Sequence, residues 1–355
     1  RWGRAAQAGL LASNVLTVGL IMLFKLKTTI RIGGQTSFVS YMDWIARRAL
    51  SLNYDQYDYG FNLKQALAVN YGDYGLGLPW AVLNLLRAYP DVTILLLATL
   101  LGLTTFSYLV YTLRQEREAW PSRSVWLWVA ALGLVVFGLG YTIFLTNYNV
   151  QFTPTGIANR TTMAAAIGVT LSLVGALGWV STLLPARFHQ RIFSALIALV
   201  CLGSVIVNNT LAAFWVKASE QEQTILADIH ERFPTLPTGS TLLLDGVCPY
   251  LGPAIVFESS WDLAGALLIH YHDYSLRADV VTPRLQIKPE GLTTSLYDVE
   301  YTYPYENLLV YHAGQRLAFP LSDAEAARRY FEQYDPNFGG DCLPGHEGHG
   351  VPILD

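Results

Sequence analysis

The stretch Ile192–Val216, IFSALIALVCLGSVIVNNTLAAFWV, decides the architecture. It contains no Asp, Glu, Lys or Arg, and a helix needs about 20 mostly apolar residues to cross the roughly 30 Å hydrocarbon core of a bilayer. Directly after it come Lys217-Ala218-Ser219-Glu220-Gln221-Glu222, where charge returns and Ser219-x-x-Glu222 has the form of a capping box. The expectation is a last membrane span that ends at Val216. A separate helix of a polar domain then opens at Ser219 and runs to about Phe233.

Four more uncharged stretches of this kind precede it: Ala5–Phe24, Val92–Leu113, Ser124–Leu145 and Thr161–Leu184. The first is not followed by a small-residue cleavage site but by Phe24-Lys25-Leu26-Lys27, so it reads as a span rather than a signal peptide. The fold class is therefore a membrane α-helical bundle of about five transmembrane helices, residues 1–216, followed by a small mixed α/β domain, residues 217–355. Composition agrees: 52% of the 355 residues are hydrophobic and 14% charged, which excludes a disordered chain, a coiled coil and a basic nucleic-acid binder. The net charge of -4 conceals an asymmetry, because residues 217–355 carry 8 Lys+Arg against 20 Asp+Glu. The chain opens at Arg1 rather than Met, and further sequence upstream is expected.

Orientation follows from the basic residues of short loops. Arg1, Arg4, Arg114, Arg117, Arg123, Arg187 and Arg191 fall on one side, while the short loop Thr146–Arg160 on the other carries Arg160 alone. The first side is read as cytoplasmic. That puts the 25–91 segment and the carboxy-terminal domain outside the cytoplasm, with the protein integral to the cytoplasmic (inner) membrane. In the fourth span Ala164, Gly168, Ser172 and Ala176 form a small-residue stripe suited to close helix packing. Asn208-Asn209-Thr210 in the fifth either bonds to neighbouring helices or lines a polar cavity.

Outside the spans, residues 36–50 read as an interfacial amphipathic helix with Phe38, Met42, Ile45 and Ala49 on one face. Next come Tyr54, Asp55, Tyr57, Asp58 and Tyr59, then Asn70-Tyr71-Gly72-Asp73-Tyr74-Gly75. Tyrosine interleaved with carboxylate and amide suits either a sugar-stacking surface or an aromatic belt with turns between. The loop that ends in Asn159-Arg160 places one guanidinium at a helix start, where a lipid phosphate would find both a planar fork and a helix dipole; snorkelling to headgroups is the alternative.

In the polar domain Thr241–Asp245 reads as a buried strand. Ser259–Asp262 is a capping signature for a helix through about Tyr271, and Ser322-Asp323-Ala324-Glu325 caps a last helix to about Tyr334. Pro289-Glu290-Gly291 and Ala313-Gly314-Gln315 are turns between strands. Cys248 and Cys342 lie in the compartment that permits disulfides, and their pairing is expected; closing so long a loop contributes up to about 4–5 kcal/mol in the entropy model. Two free thiols is the competing reading. His270/His272 and His346/His349 lack a convincing third and fourth ligand, so no metal site is assigned. No cofactor is specified, and a divalent metal is the one candidate.

The arrangement resembles the polytopic GT-C glycosyltransferase superfamily: multiple spans, a long outer loop with an interfacial helix, a closing α/β domain, and Pro154-Thr155-Gly156-Ile157-Ala158-Asn159-Arg160 running into an Ala/Gly-rich span. The resemblance implies transfer of a sugar from a polyprenyl-phosphate donor on the outer face of the membrane. It implies Arg160 and Asn159 on the lipid phosphate, Asp55 or Asp58 as the catalytic carboxylate, and Tyr54, Tyr57 and Tyr59 stacking on sugar. No acidic pair follows an identifiable first span here, which departs from the family pattern. The alternative is a non-catalytic subunit or scaffold of a larger membrane complex, docking partners through its outer domain. Its partners would be the lipid bilayer and other membrane subunits, with no nucleic acid.

Overall fold

The computed structural model describes Leu16 and residues 59–88, 92–115, 120–142, 152–153, 157–282, 284–296 and 299–334. The expected first span, the interfacial helix 36–50, Tyr54, Asp55, Tyr57, Asp58, Cys342, His346 and His349 lie outside these residues, apart from Leu16.

Helix α1 (Tyr59–Leu67) passes without a break into a π-helical segment, Ala68–Gly77, and then into α2 (Leu78–Ala88). Residues 70–75, read above as turn-rich, are therefore helical. Pro79 supplies a reason: it has no N–H, and its ring crowds the carbonyl four residues back, so a regular α ladder cannot continue through it. The wider π turn accommodates this, with Leu78 N–H donating to Asp73 O, and it is eased by open space around Gly72 and Gly75.

Then follow α3 (Val92–Gln115), α4 (Arg123–Tyr141), a 3-10 segment (Ile157–Ala165), α5 (Ala166–Ser181) and, after a short 3-10 turn, α6 (His189–Arg232). The chain divides into two compact units, residues 1–66 with 138–150 and residues 67–137 with 151–355. Among the described residues four helical stretches are long and apolar enough to cross a membrane: Val92–Gln115, Arg123–Tyr141, Thr161–Ser181 and Ala186–Arg232. They expose Leu96, Leu100, Trp128, Leu132, Ile167 and Leu199, an apolar surface foreign to a water-facing monomer.

α4 and α5 approach to backbone contact. A Cβ on Gly168 would stand 2.3 Å from Phe137 N, and one on Gly175 2.4 Å from Ala130 N. The contact face is Ala165, Gly168, Ser172, Gly175 and Gly178, while Ala164 and Ala176 of the expected stripe are exposed. A strict spacing of four drifts around a helix of 3.6 residues per turn, so the true stripe mixes gaps of three and four. Arg123 donates to Thr182 O at 2.9 Å and Gln190 to Leu113 O at 3.1 Å. These bonds gather the ends of α3 and α5 and the starts of α4 and α6, with Arg114, Arg187 and Arg191, at one end of the bundle. Among the described residues Asn208 and Asn209 bond within their own helix and not to a neighbouring one. Their side-chain amides donate to Ser204 O and Val205 O, and Thr210 Oγ1 to Ile206 O, all four residues back in the same helix.

The boundary expected at 216/217 falls inside α6. Nothing between Val216 and Glu222 breaks a helix, and an N-cap requires a residue outside helical φ/ψ. Ser219 is instead an interior residue of an unbroken 44-residue helix about 66 Å long.

The polar half of α6 packs on an α/β layer. β1 (Thr241–Asp245) is flanked in parallel by β4 (Arg277–Val280) and β8 (Leu308–His312), and β9 (Leu317–Pro320) pairs antiparallel with β8, giving the order β4-β1-β8-β9. A small hairpin, β2 (Tyr250–Leu251) with β3 (Ala254–Ile255), leads to α7 (Ser260–Tyr271), which crosses back to β4. A meander of β5 (Gln286–Lys288), β6 (Gly291–Leu296) and β7 (Val299–Pro304) precedes β8, and α8 (Ala324–Tyr334) closes the domain. One core joins Ile225 and Ile229 of α6 and Leu263 and Leu267 of α7 to Leu242 and Leu244. The other sets Leu292, Tyr303, Tyr330 and Phe331 against Leu243 and Val310. β1 alternates between the two cores and is buried at every position, as a central parallel strand requires.

The strand at 241–245, both turns and both later helices stand where the sequence places them. Two caps differ in detail. Asp323 rather than Ser322 caps α8, accepting from Ala326 N at 2.8 Å. Ser259 has the extended backbone of an N-cap but makes no side-chain cap bond; Asp262 reaches back to Glu258 N at 3.0 Å.

Candidate functional site

Two irregular helical segments meet in the larger unit. π and long 3-10 stretches are sparse in proteins and recur at functional positions, because they forgo regular hydrogen bonding to place side chains. Here Tyr71 of the π segment hydrogen-bonds through its hydroxyl to Ser172 Oγ of α5 at 2.8 Å, and its ring packs on Phe137 with centroids 5.5 Å apart. One turn on, Tyr74 hydrogen-bonds to Thr162, inside the 3-10 segment that opens α5. Asn70 and Thr162 are buried. Between the two tyrosines stands Asp73, half-buried, with no side-chain hydrogen-bond partner among the described residues.

Asn159 and Arg160 lie in the same 3-10 segment as Thr162, two or three residues before it. The structure thus joins Asn70–Gly75 to the segment that carries Asn159 and Arg160, which the sequence treated as separate outer features. Tyr59 opens α1. The sequence reading took Asp73 only as one carboxylate of a possible sugar surface and Ser172 only as a packing residue, and it did not single out Thr162. The available signal was Asn-Tyr-Gly-Asp-Tyr-Gly followed by Pro79 within a helix-compatible run.

A second polar group lies at the carboxyl edge of the parallel sheet. Tyr330 donates to Asp245 Oδ2 at 2.6 Å, and Gly246 N–H donates to Asp245 Oδ1. Tyr303 donates to Asp279 Oδ2 at 2.6 Å. Burial raises the Asp279 carboxyl above the usual range against the lowering effect of these hydrogen bonds, and raises the Tyr303 hydroxyl strongly. Asp262 is likewise pushed up by burial. His312 Nδ1 accepts from Gln315 N at 3.1 Å, which places the neutral-ring proton on Nε2.

Among the described residues no three His, Cys, Asp or Glu side chains gather as metal ligands. His270 of the expected pair instead packs against His230 of α6. Cys201 is a free thiol within α6, and Cys248 is half-buried in the loop after β1. Searches against family models, curated proteins and solved structures find no match to this chain.

Proposed function

We propose that this chain is a polytopic membrane protein of GT-C-like chemistry, transferring a sugar from a polyprenyl-phosphate donor at the end of its bundle away from the arginines. The observation that carries the reading is the juncture of the Ala68–Gly77 π segment with the 3-10 opening of α5, tied by the Tyr71–Ser172 and Tyr74–Thr162 bonds. It puts a half-buried carboxylate, Asp73, on one irregular segment and Asn159-Arg160 on the other.

The roles follow from the chemistry. Asp73 takes the proton of the acceptor hydroxyl as that oxygen bonds to the anomeric carbon. The bond from that carbon to the donor phosphate oxygen breaks, and its electron pair stays on the phosphate. Arg160 meets the charge that develops there. Asp55 and Asp58 are the alternative carboxylates of the same reading. The gathering of Arg114, Arg123, Arg187 and Arg191 at one end supports a cytoplasmic placement of that end by the positive-inside tendency. The α/β domain then stands outside the cytoplasm, where a Cys248–Cys342 disulfide forms.

Membranes containing the chain, supplied with a radiolabelled sugar on polyprenyl phosphate, test this. Asp73→Asn and Arg160→Ala are each expected to lower transfer at least a hundredfold at unchanged expression. Unaltered transfer in both removes the site. The reading of a non-catalytic subunit draws on the outward face of α7, where Trp261 and Ile269 are exposed. Absence of transfer in the wild-type chain, with a co-purifying membrane protein bound through Trp261, is its signature.

A further inference from the structure

The carboxyl edge of the sheet has a topological switch point. From β1 the chain crosses through α7 to β4 on one side, whereas from β8 it turns to β9 on the other, and β1 and β8 are adjacent. In open α/β sheets such a divergence leaves a crevice beyond the strand ends, where ligands bind. The residues there are Asp245-Gly246 and, in register with Asp245, His312. Gly246 is exposed at φ +70°, and a Cβ on it would stand 2.5 Å from the His312 ring. Only glycine takes this backbone turn with the His312 ring lying directly against it.

The same edge points along α6 toward its apolar half. The β2–β3 hairpin rests on Phe214, since a Cβ on Gly252 would lie 2.7 Å from that ring. Val247, just past β1, shares a core with Ala218. At the other end of the layer Tyr271, the last residue of α7, donates to Phe233 O just past α6. The strand ends of β1 and β8 are thus level with Phe214–Ala218, within about two helical turns of Val216, where the uncharged run stops. With that run in the bilayer, as proposed above, the crevice opens onto the headgroup layer, about 5–8 Å deep on each side.

We infer that the Gly246–His312 crevice binds the neutral saccharide head group of a membrane lipid. His312 Nε2–H has no acceptor among the described residues and is offered to a hydroxyl. The Tyr334 ring, edge-on to His312 with centroids 6.2 Å apart, supplies an apolar wall for a sugar face. Asp245 is held beneath by Tyr330 and Gly246 N–H. The excess of 20 Asp+Glu over 8 Lys+Arg in residues 217–355 disfavours a phosphate and tolerates hydroxyls. The inference rests on the membrane placement of α6 but not on transfer chemistry, and it holds equally for a receptor.

The test uses the full chain in nanodiscs containing either diglucosyl-diacylglycerol or, as control, phosphatidylglycerol. Hydrogen exchange is read at amides 246–248 and 313–315, and glycolipid affinity by titration. The glycolipid alone is expected to protect these amides at least fivefold. His312→Asn keeps an acceptor for Gln315 N–H but loses the Nε2 donor, and is expected to weaken binding about tenfold; His312→Gln, which restores a donor at that reach, recovers most of it. Arg160→Ala, which lowers transfer at least a hundredfold in the reading above, leaves this binding unchanged. Equal protection by phosphatidylglycerol, or equal affinity in His312→Asn, overturns the inference.

Discussion

Gly252→Ala probes the contact that sets the α/β domain on α6. The residue sits at φ +56°, and its Cβ would lie 2.7 Å from both Cδ1 and Cε1 of Phe214. Alanine costs about 1 kcal/mol for the left-handed backbone. Displacing the ring adds about 1–3 kcal/mol of overpacking, for a total of about 2–4 kcal/mol. The two contributions separate in a double-mutant cycle. Phe214→Ala removes the obstacle, so adding Gly252→Ala to it costs only the backbone part, and the pair couples by about 1–3 kcal/mol. Equilibrium unfolding of the detergent-solubilised full chain gives the four free energies, and exchange of the amides of residues 250–255 shows whether the loss is local. A Gly252→Ala cost under about 0.5 kcal/mol, or strict additivity with Phe214→Ala, would refute the clamp and with it the membrane-facing edge.

Three further outcomes follow from particular contacts. Gly168→Ala and Gly175→Ala each press a Cβ onto main-chain atoms of α4 that cannot rotate away, and should each cost about 1–3 kcal/mol in detergent unfolding; Gly72→Ala, with open space around it, should not. Tyr330→Phe strips a donor from Asp245, which is 1% exposed, and should cost about 1–3 kcal/mol by the same measurement. Asp279 has a folded-state pKa raised by burial, so its contribution is fully present below the unfolded value of about 3.9 and is lost as pH rises through the folded value. Asp279→Asn should flatten that decline in thermal unfolding above pH 4, and an unchanged pH profile would place the titration elsewhere.

Much of the fold is legible in the sequence because solvent sets it. The uncharged runs Val92–Leu113, Ser124–Leu145 and Thr161–Leu184 predict long helices, and helices over Val92–Gln115, Arg123–Tyr141 and Ala166–Ser181 bear most of this out, while Thr241–Asp245, apolar and β-favouring between loop residues, reads as the buried strand it is. Local chemistry misled where two motifs competed. Ser219-x-x-Glu222 looks like a helix start, yet a capping residue ends a helix only when the preceding backbone leaves helical geometry, and nothing before Ser219 makes it do so. Asn208 and Asn209 appeared to need partners or a cavity, but their own helix supplies acceptors four residues back.

The candidate site was legible in its pieces and not in its assembly. Residue types at Asn70–Gly75 and at Asn159-Arg160 announce polar chemistry, since such groups are costly to bury among apolar ones. That the two segments are one place depends on the Tyr71–Ser172 and Tyr74–Thr162 bonds, which join residues some ninety to a hundred positions apart. The same holds for Gly246 and His312, brought together only by the β1–β8 register. Hydrophobic patterning acts over a turn or a strand and so determines elements and their solvent. Pairings between distant residues are decided by how whole helices and strands pack, and that exists only in the tertiary structure.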